Sequence, residues 1–534
     1  MDFSLASTLS CLLLSARFWY LVLGAVGLAL LPKLFKLQAT QKSKKMKLPP
    51  GPKPWPIVGN LPEMIANRPT FRWIQKLQKD LDTEIMCIRL GNIHVVSVTS
   101  PEIGREFFVK QDATVASRPA NWTNEFSSGG YLTIALNVYG DQWKKMKRVI
   151  TNDLFSPTRH QWLHDKRVEE ADYIVKYVFN KSQREGGAGL VNLRLATQQY
   201  TGNVIRRLIF NKRFFGKGAE DGAAGVEELE HVDALFTVPK YLFAFSISDF
   251  VPFLREFDLD GHKRMTKKAI DTLKKYHDPI IEDRIQQWKN GERKDQEDLL
   301  DVLILLKDAD GNPLLTLEEI KYQIMELMFA TVDNPSNSFE WALAEMLNQP
   351  ELLRKATEEL DNVVGKGRQV QESDFSKLNF VKACAREAFR LHPIEDFAIT
   401  HCAMDDTIVA NYFIPKGSHV ILRRQGVGHN PRIWKEDTLK FKPERHLNGD
   451  NYVALNEPSL DLVTFGTGRR GCPGVTLGTA MTLMLFARML HGFTWSIPNN
   501  ETCIDLTEHE ENTTKAKHLL ALAKPRLPFE VYGI

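Results

Sequence analysis

The densest chemistry in the chain lies at Phe465-Gly466-Thr467-Gly468-Arg469-Arg470-Gly471-Cys472-Pro473-Gly474, just before an apolar stretch from Val475 to Leu490. A cysteine in a glycine-rich loop at a helix N-terminus is placed to become a thiolate. The helix dipole, backbone N–H groups and nearby arginines all favour the anion. Glycines at 468, 471 and 474 let the backbone approach a flat, bulky partner closely. The residues alone leave three readings of Cys472: a buried structural thiol, a reactive nucleophile, or a ligand to haem iron, where a thiolate pushes electron density toward the metal. No cysteine sits in a C-x-x-C pair, so neither a zinc knuckle nor a thioredoxin-type site is encoded. Six cysteines in 534 residues are too few for a disulfide scaffold and point to a reducing compartment.

Helices must carry most of what surrounds that loop. Apolar periodicity predicts one long helix over Glu318–Leu347 and another over Glu351–Val364, just after Pro350. A third, Phe380–Leu391, stops at His392-Pro393 because the residue before a proline is pushed out of the helical region. Strand signals fall at Ile85–Leu90, His94–Thr99 and His419–Leu422, the last after the turn Pro415-Lys416-Gly417. The run Phe215 to Gly225, with four glycines and three alanines, reads as a flexible surface connection. No internal repeat is visible, and residues 57–534 need form no more than one mainly helical domain. With 69 Lys and Arg against 66 Asp and Glu, the excess of +3 leaves no footprint for nucleic-acid binding.

The N-terminus reads as a membrane anchor over residues 1–32. Cys11 to Leu31 is almost wholly apolar and would reach roughly 31 Å as a helix, enough to cross a hydrocarbon core. A cleaved signal would have a shorter apolar region closed by small residues, whereas here Pro32 and a basic run follow. Lys33, Lys36, Lys42, Lys44, Lys45 and Lys47 lie after the span and Asp2 before it, which places the body of the chain in the cytosol. Residues 33–56 then combine this basic collar with a hinge whose five prolines between Leu48 and Pro56 suit a stiff, extended spacer.

The pattern F-x-x-G-x-R-x-C-x-G, met by Phe465, Gly468, Arg470, Cys472 and Gly474, resembles the haem-binding loop of the cytochrome P-450 superfamily. Glu387-Ala388-Phe389-Arg390 resembles that superfamily's E-x-x-R pair, and Pro443-Glu444-Arg445-His446 its P-E-R-F partner, with histidine in place of phenylalanine. The resemblance runs from the anchor to the C-terminus. It implies a mainly α fold with a small β-rich lobe behind an N-terminal transmembrane anchor, and haem b held by an axial Cys472 thiolate. It implies an ion network of Glu387, Arg390 and Arg445, and contacts to the haem propionates from Trp143, from His401 and from Lys147 or Arg148. The expected W-x-x-x-R reads W-x-x-x-K-R here, and the two candidates differ by about 100° around a helix. The matching residues of the oxygen-activating helix are Ala330 to Pro335. Asp333 keeps the acid, Asn334 stands where a threonine is usual, and Pro335 predicts a kink.

Thr331-Val332-Asp333-Asn334-Pro335-Ser336-Asn337 is similar to the signature of the plant amino-acid N-monooxygenases that form aldoximes. Asn60–Met64, His164–Arg167, Tyr276–Ile280 and Pro443–His446 add to that likeness. It implies two N-hydroxylations of an L-amino acid with O2 as co-substrate, with NADPH electrons arriving through a flavoprotein reductase, NADPH–cytochrome P-450 reductase, at the endoplasmic reticulum membrane. Asp333 and Asn334 are then the catalytic candidates, orienting water and protons. The branch resembled uses phenylalanine or the pair valine and isoleucine, and phenylalanine, giving phenylacetaldoxime, is taken as the expectation. A carbon hydroxylase and a reductase-independent rearrangement enzyme are the alternatives. After His392-Pro393 the chain has Ile394-Glu395-Asp396-Phe397 where the family often has small or neutral residues. Glu395 or Asp396 is expected to pair with the substrate ammonium, and Phe397 to line its side-chain pocket. The bland alternative is that both acids point to arginines or solvent.

Overall fold

The computed structural model describes residues 47–447, 452–456 and 460–533. The anchor at residues 1–32 and most of the basic collar lie outside the described residues. Among the described residues no helix is long and apolar enough to cross a membrane. Pro49–Ile534 forms one compact unit.

The helices that matter to the site, numbered here in chain order among the described residues, are α1 Asp141–Arg148, α2 His164–Arg184, α3 Leu193–Phe210, α4 Val226–Phe243, α5 His262–Lys289, α6 Leu317–Leu347, α7 Pro350–Val364, α8 Asn379–Leu391 and α9 Val475–Gly492. Among the described residues nine strands accompany them: β1 Ile85–Leu90, β2 Ile93–Val98, β3 Gly189–Asn192, β4 His401–Cys402, β5 Thr407–Val409, β6 Tyr412–Ile414, β7 His419–Leu422, β8 Phe493–Ser496 and β9 Leu520–Pro525. They form a four-stranded sheet in the order β1-β2-β7-β4, a three-stranded sheet β3-β9-β8 and the hairpin β5-β6. In the first sheet β2 runs parallel to β7, with Val95 opposite His419, and β4 runs antiparallel to β7, with His401 opposite Val420. That pairing places His401 on an edge strand of the sheet.

Helix α6 is the axis of the molecule and is buried along most of its length. Its start is fixed by Thr316 and Glu319. The Glu319 N–H donates to the Thr316 hydroxyl and the Thr316 N–H to the Glu319 carboxylate, which satisfies two orphan donors at once. Pro335 removes the N–H that would bond the Thr331 carbonyl, yet α6 runs through it as one helix. Side chains knit that turn: Thr331 donates to the Leu327 carbonyl, Thr201 on α3 to the Val332 carbonyl, and the Thr197 and Ser336 hydroxyls bond each other at 2.7 Å. At the next junction Glu359 on α7 accepts the N–H groups of Phe380 and Val381, capping α8 with a carboxylate. Helix α8 ends at Leu391, before His392-Pro393.

Two segments depart from expectation. The proline run is extended but docked: the Cys87 N–H of β1 donates to the Pro50 carbonyl at 2.8 Å, so the run covers a sheet edge that would otherwise be unpaired. Residues 215–225 are pinned as well. Glu228 accepts the N–H groups of Phe215, Gly216 and Gly225, while Tyr173 and Gln199 both donate to the Gly222 carbonyl. A glycine-rich composition has local freedom, which a single buried carboxylate removes here.

Candidate functional site

A cavity of about 310 Å³ opens between α6, the segment after α8 and the cysteine loop. Its floor is the loop itself. The Cys472 N–H donates to the Phe465 carbonyl at 2.8 Å, and the Phe465 ring meets Phe389 of α8 edge-on. Gly466 and Gly468 have φ of +69° and +66°, the left-handed region that glycine enters without a Cβ penalty. A Cβ at Gly468 would fall 2.6 Å from Asp112 Oδ1 and 2.7 Å from the Phe108 carbonyl. Gly474 sits directly before α9 and lends its N–H to the Cys472 sulfur.

That sulfur opens onto the cavity. Burial pushes the thiol up, against the pull of the Gly474 N–H and the positive charges of Lys147 and Arg424. The loop N–H and these cations favour the anion, as expected, while burial opposes them. A metal cation bound at the sulfur is what would make the anion the stable form.

One wall gathers cations and an unsatisfied indole. Trp143 and Lys147 lie one turn apart on α1 and both border the cavity, while Arg148, one residue on, faces solvent. The helix thus chooses between the two propionate candidates, and Arg148 is set aside. Trp143 Nε1 is buried without a hydrogen-bond partner, and the Arg470 guanidinium stacks 4.6 Å above its ring. His401 lies against Phe108 with its Nδ1 2.9 Å from the Val115 carbonyl. Arg118 completes the set and was not foreseen. It donates to the carbonyls of Ala135, Ile399 and Thr400, tying the chain before α1 to the strand that carries His401. The sequence held one signal for it: Arg118 is the sole cation between Lys110 and Lys144. An orphaned indole N–H, a cluster of cations and a cysteine in a glycine-lined floor fit a haem with its carboxylates on this wall.

The opposite wall is acidic. Asp333 of α6 borders the cavity with Oδ1 buried and unpartnered, and burial pushes its carboxyl up to about 7. Asn334 presents its side chain to the cavity and donates Nδ2–H to the Ala330 carbonyl at 2.9 Å, leaving Oδ1 as an acceptor. Glu395 faces Asp333, and burial together with the Asp333 charge raises its carboxyl to about 8, with Arg424 opposing. Asp396 and Phe397, expected beside Glu395 in the substrate space, lie outside it. Asp396 is spent on a buried ion pair with Arg423, Nε to Oδ2 at 2.8 Å, because a buried guanidinium needs a counter-charge. Phe397 packs into a separate apolar cluster against Phe245.

Behind α8 lies the ion network. Glu387 accepts from Arg390, Arg445, His446 and the Lys442 N–H, all at 2.7–2.9 Å, while Arg390 also donates to the carbonyls of Gly428, Thr438 and Lys440. His446 therefore substitutes a hydrogen bond for the packing a phenylalanine would give.

Residues 49–521 match the family model described as Cytochrome P450. The chain is 58% identical over 516 residues to isoleucine N-monooxygenase 1 of Lotus japonicus, covering 96% of each. It is 57% identical to a phenylalanine N-monooxygenase of Prunus mume, over 91% of this chain and 92% of that one. It is 56% identical to valine N-monooxygenase 1 of Manihot esculenta, over 94% and 92%.

Proposed function

The chain belongs to the cytochrome P450 family, and from that premise we propose that it is an L-amino-acid N-monooxygenase that produces an aldoxime. Each of two hydroxylations uses one O2 and two electrons, placing one oxygen atom on the amino nitrogen and the other in water. Loss of CO2 and water from the doubly hydroxylated amino acid then leaves the aldoxime. The observation that carries this reading is that relatives more than half identical over nearly their whole length are named amino-acid N-monooxygenases.

Haem held by Cys472 supplies the activation of O2, with NADPH electrons passed on by a separate membrane flavoprotein reductase. Trp143, Lys147, Arg118, His401 and Arg470 would hold its carboxylate edge. Asp333 is suited to hold and release a proton, because a carboxyl near 7 exists in both forms at neutral pH. Asn334 Oδ1 orients a water beside it. Glu395 takes the substrate ammonium; until substrate arrives, burial keeps its carboxyl largely protonated, so it can stand unpaired in the cavity. The cavity is otherwise largely apolar, with Leu136, Leu242, Phe243 and Ile394 on its walls, and suits an apolar side chain. The relatives divide among isoleucine, phenylalanine and valine at nearly equal identity, so similarity does not single out phenylalanine.

The test is a membrane preparation of the protein with reductase and NADPH, offered the protein amino acids one at a time, with aldoximes read by mass spectrometry. One dominant aldoxime names the substrate. Hydroxylated carbon products instead, or turnover of a peroxide or oxime without reductase, would sink the proposal in favour of a carbon hydroxylase or a rearrangement enzyme.

A further inference from the structure

We propose that Arg424 is the receptor for the substrate's α-carboxylate, the counterpart of Glu395 on the ammonium side; this rests on the amino-acid reading above. The cavity's cations are otherwise spoken for. Arg118 and Arg470 are each fanned across three backbone carbonyls. Lys147 Nζ lies 3.4 Å from the Gly471 carbonyl, and Arg469 is paired with Asp112 at 2.7 Å. Arg424 also borders the cavity, yet among the described residues its guanidinium has no hydrogen-bond or ion-pair partner, and its Nε is buried and unsatisfied. The neighbouring Arg423 shows the contrast, its guanidinium saturated by Asp396 and by Gln78 Oε1 at 3.1 Å.

Arg424 is held in place by its backbone. Its N–H donates to the Asp396 carbonyl at 2.6 Å, two residues past the end of β7, so the side chain starts from a fixed point beside the sheet. Glu395 precedes Asp396, so the same short stretch positions both charges. The negative groups that act on Arg424 are Glu395, Cys472 and Asp396. Glu395 stands too far away for an ion pair within 4 Å, and no hydrogen bond contributes to its state. A buried cation and a buried acid that feel each other without closing are a strained arrangement. An amino acid relieves it from both ends, with its carboxylate on the guanidinium fork and its ammonium on Glu395 beside Asp333. The same cation would discriminate amino acids from the corresponding amines and amides, which share the side chain and lack the anion.

The test is a titration of the haem Soret band in the full-length holoenzyme in membranes. L-Phenylalanine, L-isoleucine and L-valine are each compared with their primary amides, which keep the ammonium and lose the carboxylate. Wild type is expected to bind the amino acid it converts at least about tenfold more tightly than its amide. Arg424→Gln should weaken the acid by about tenfold or more and leave the amide within about twofold, erasing the preference. Arg424→Lys should keep part of it, and Glu395→Gln should weaken acid and amide together. A preference that survives Arg424→Gln overturns the assignment, as does a wild type that binds acid and amide equally. The second result needs no variant, so a poorly folding Arg424→Gln leaves the proposal falsifiable. Aldoxime formation by wild type with an unchanged acid affinity in Arg424→Gln defeats the carboxylate assignment alone. No aldoxime from any amino acid defeats the reading beneath it and takes the assignment down too.

Discussion

Glu387 and Glu395 stand on either side of the turn at His392-Pro393, both shut away from bulk solvent, with carboxyl groups at opposite ends of the scale. Burial alone would raise Glu387, but hydrogen bonds from Arg390 and His446 outweigh it and hold the carboxyl down at about 2. Glu395 has burial and the Asp333 charge and no hydrogen bond, and sits at about 8. Desolvation is common to both sites, and partners are what differ. Where every lone pair and N–H is used, buried charge is scaffold. Around the cavity Asp333, Glu395 and Arg424 are left open, and on the proposed reading Glu395 and Arg424 are the groups that meet the substrate.

The comparison breaks most visibly at Glu387. Glu387→Gln strands the buried Arg390 guanidinium without its carboxylate, a loss of about 3–5 kcal/mol. The carbon monoxide difference spectrum of the reduced protein should then show little or no correctly bound haem. A variant of the closed network with full haem content would show that it is not scaffold. On the open side Asp333→Asn should lower aldoxime turnover by about 10²-fold while the Soret titration with the amino acid changes little, because its expected role is proton transfer.

The pH behaviour sharpens the contrast. Glu395 is raised, so it is largely protonated at pH 6 and ionised above about 8, and only the ionised form attracts an ammonium. Amino-acid affinity should therefore rise as pH climbs from 6 to 8, and Glu395→Gln should flatten that dependence. Stability runs the other way. A carboxyl raised in the folded state binds its proton more tightly there than in the unfolded chain. Stability thus falls as pH rises from about 4.5 toward about 8. Thermal denaturation of Glu395→Gln should show less of that fall, whereas Glu387, depressed to about 2, contributes stability that is present above about 4.5 and lost as pH drops toward 2. The smallest effect is at the end of α1: Lys147→Ala should reduce haem retention, and Arg148→Ala should leave it unchanged, with stability within about 0.5 kcal/mol of wild type.

How much of this was legible before folding depended on the range of the interaction. The ends of α6, α7 and α8 were readable to within one residue, because prolines and periodicity act over a single turn. β1 and β7 were readable for the same reason. The choice between Lys147 and Arg148 was readable too, had the phase been counted from Trp143. Arg118 and Arg424 were not. Their meaning comes from Ile399, Thr400 and Glu395, which share no local pattern with them. Asp396 shows the same limit. Nothing beside it in sequence marks Arg423 as its partner, and that one contact takes it and Phe397 out of the substrate space.

Legible before folding were the cysteine loop, the helices α6, α7 and α8, the acid on α6 and the components of the Glu387 network. Each is a local pattern, and the resemblance to a known family is what implied its chemistry. Which of the buried charges are closed and which are left waiting was decided by the tertiary structure alone. The energy of a buried charge depends on what the rest of the chain brings within hydrogen-bond reach, and partners such as Arg118 and Thr400 meet only when α6, the first sheet and the cysteine loop close on one cavity.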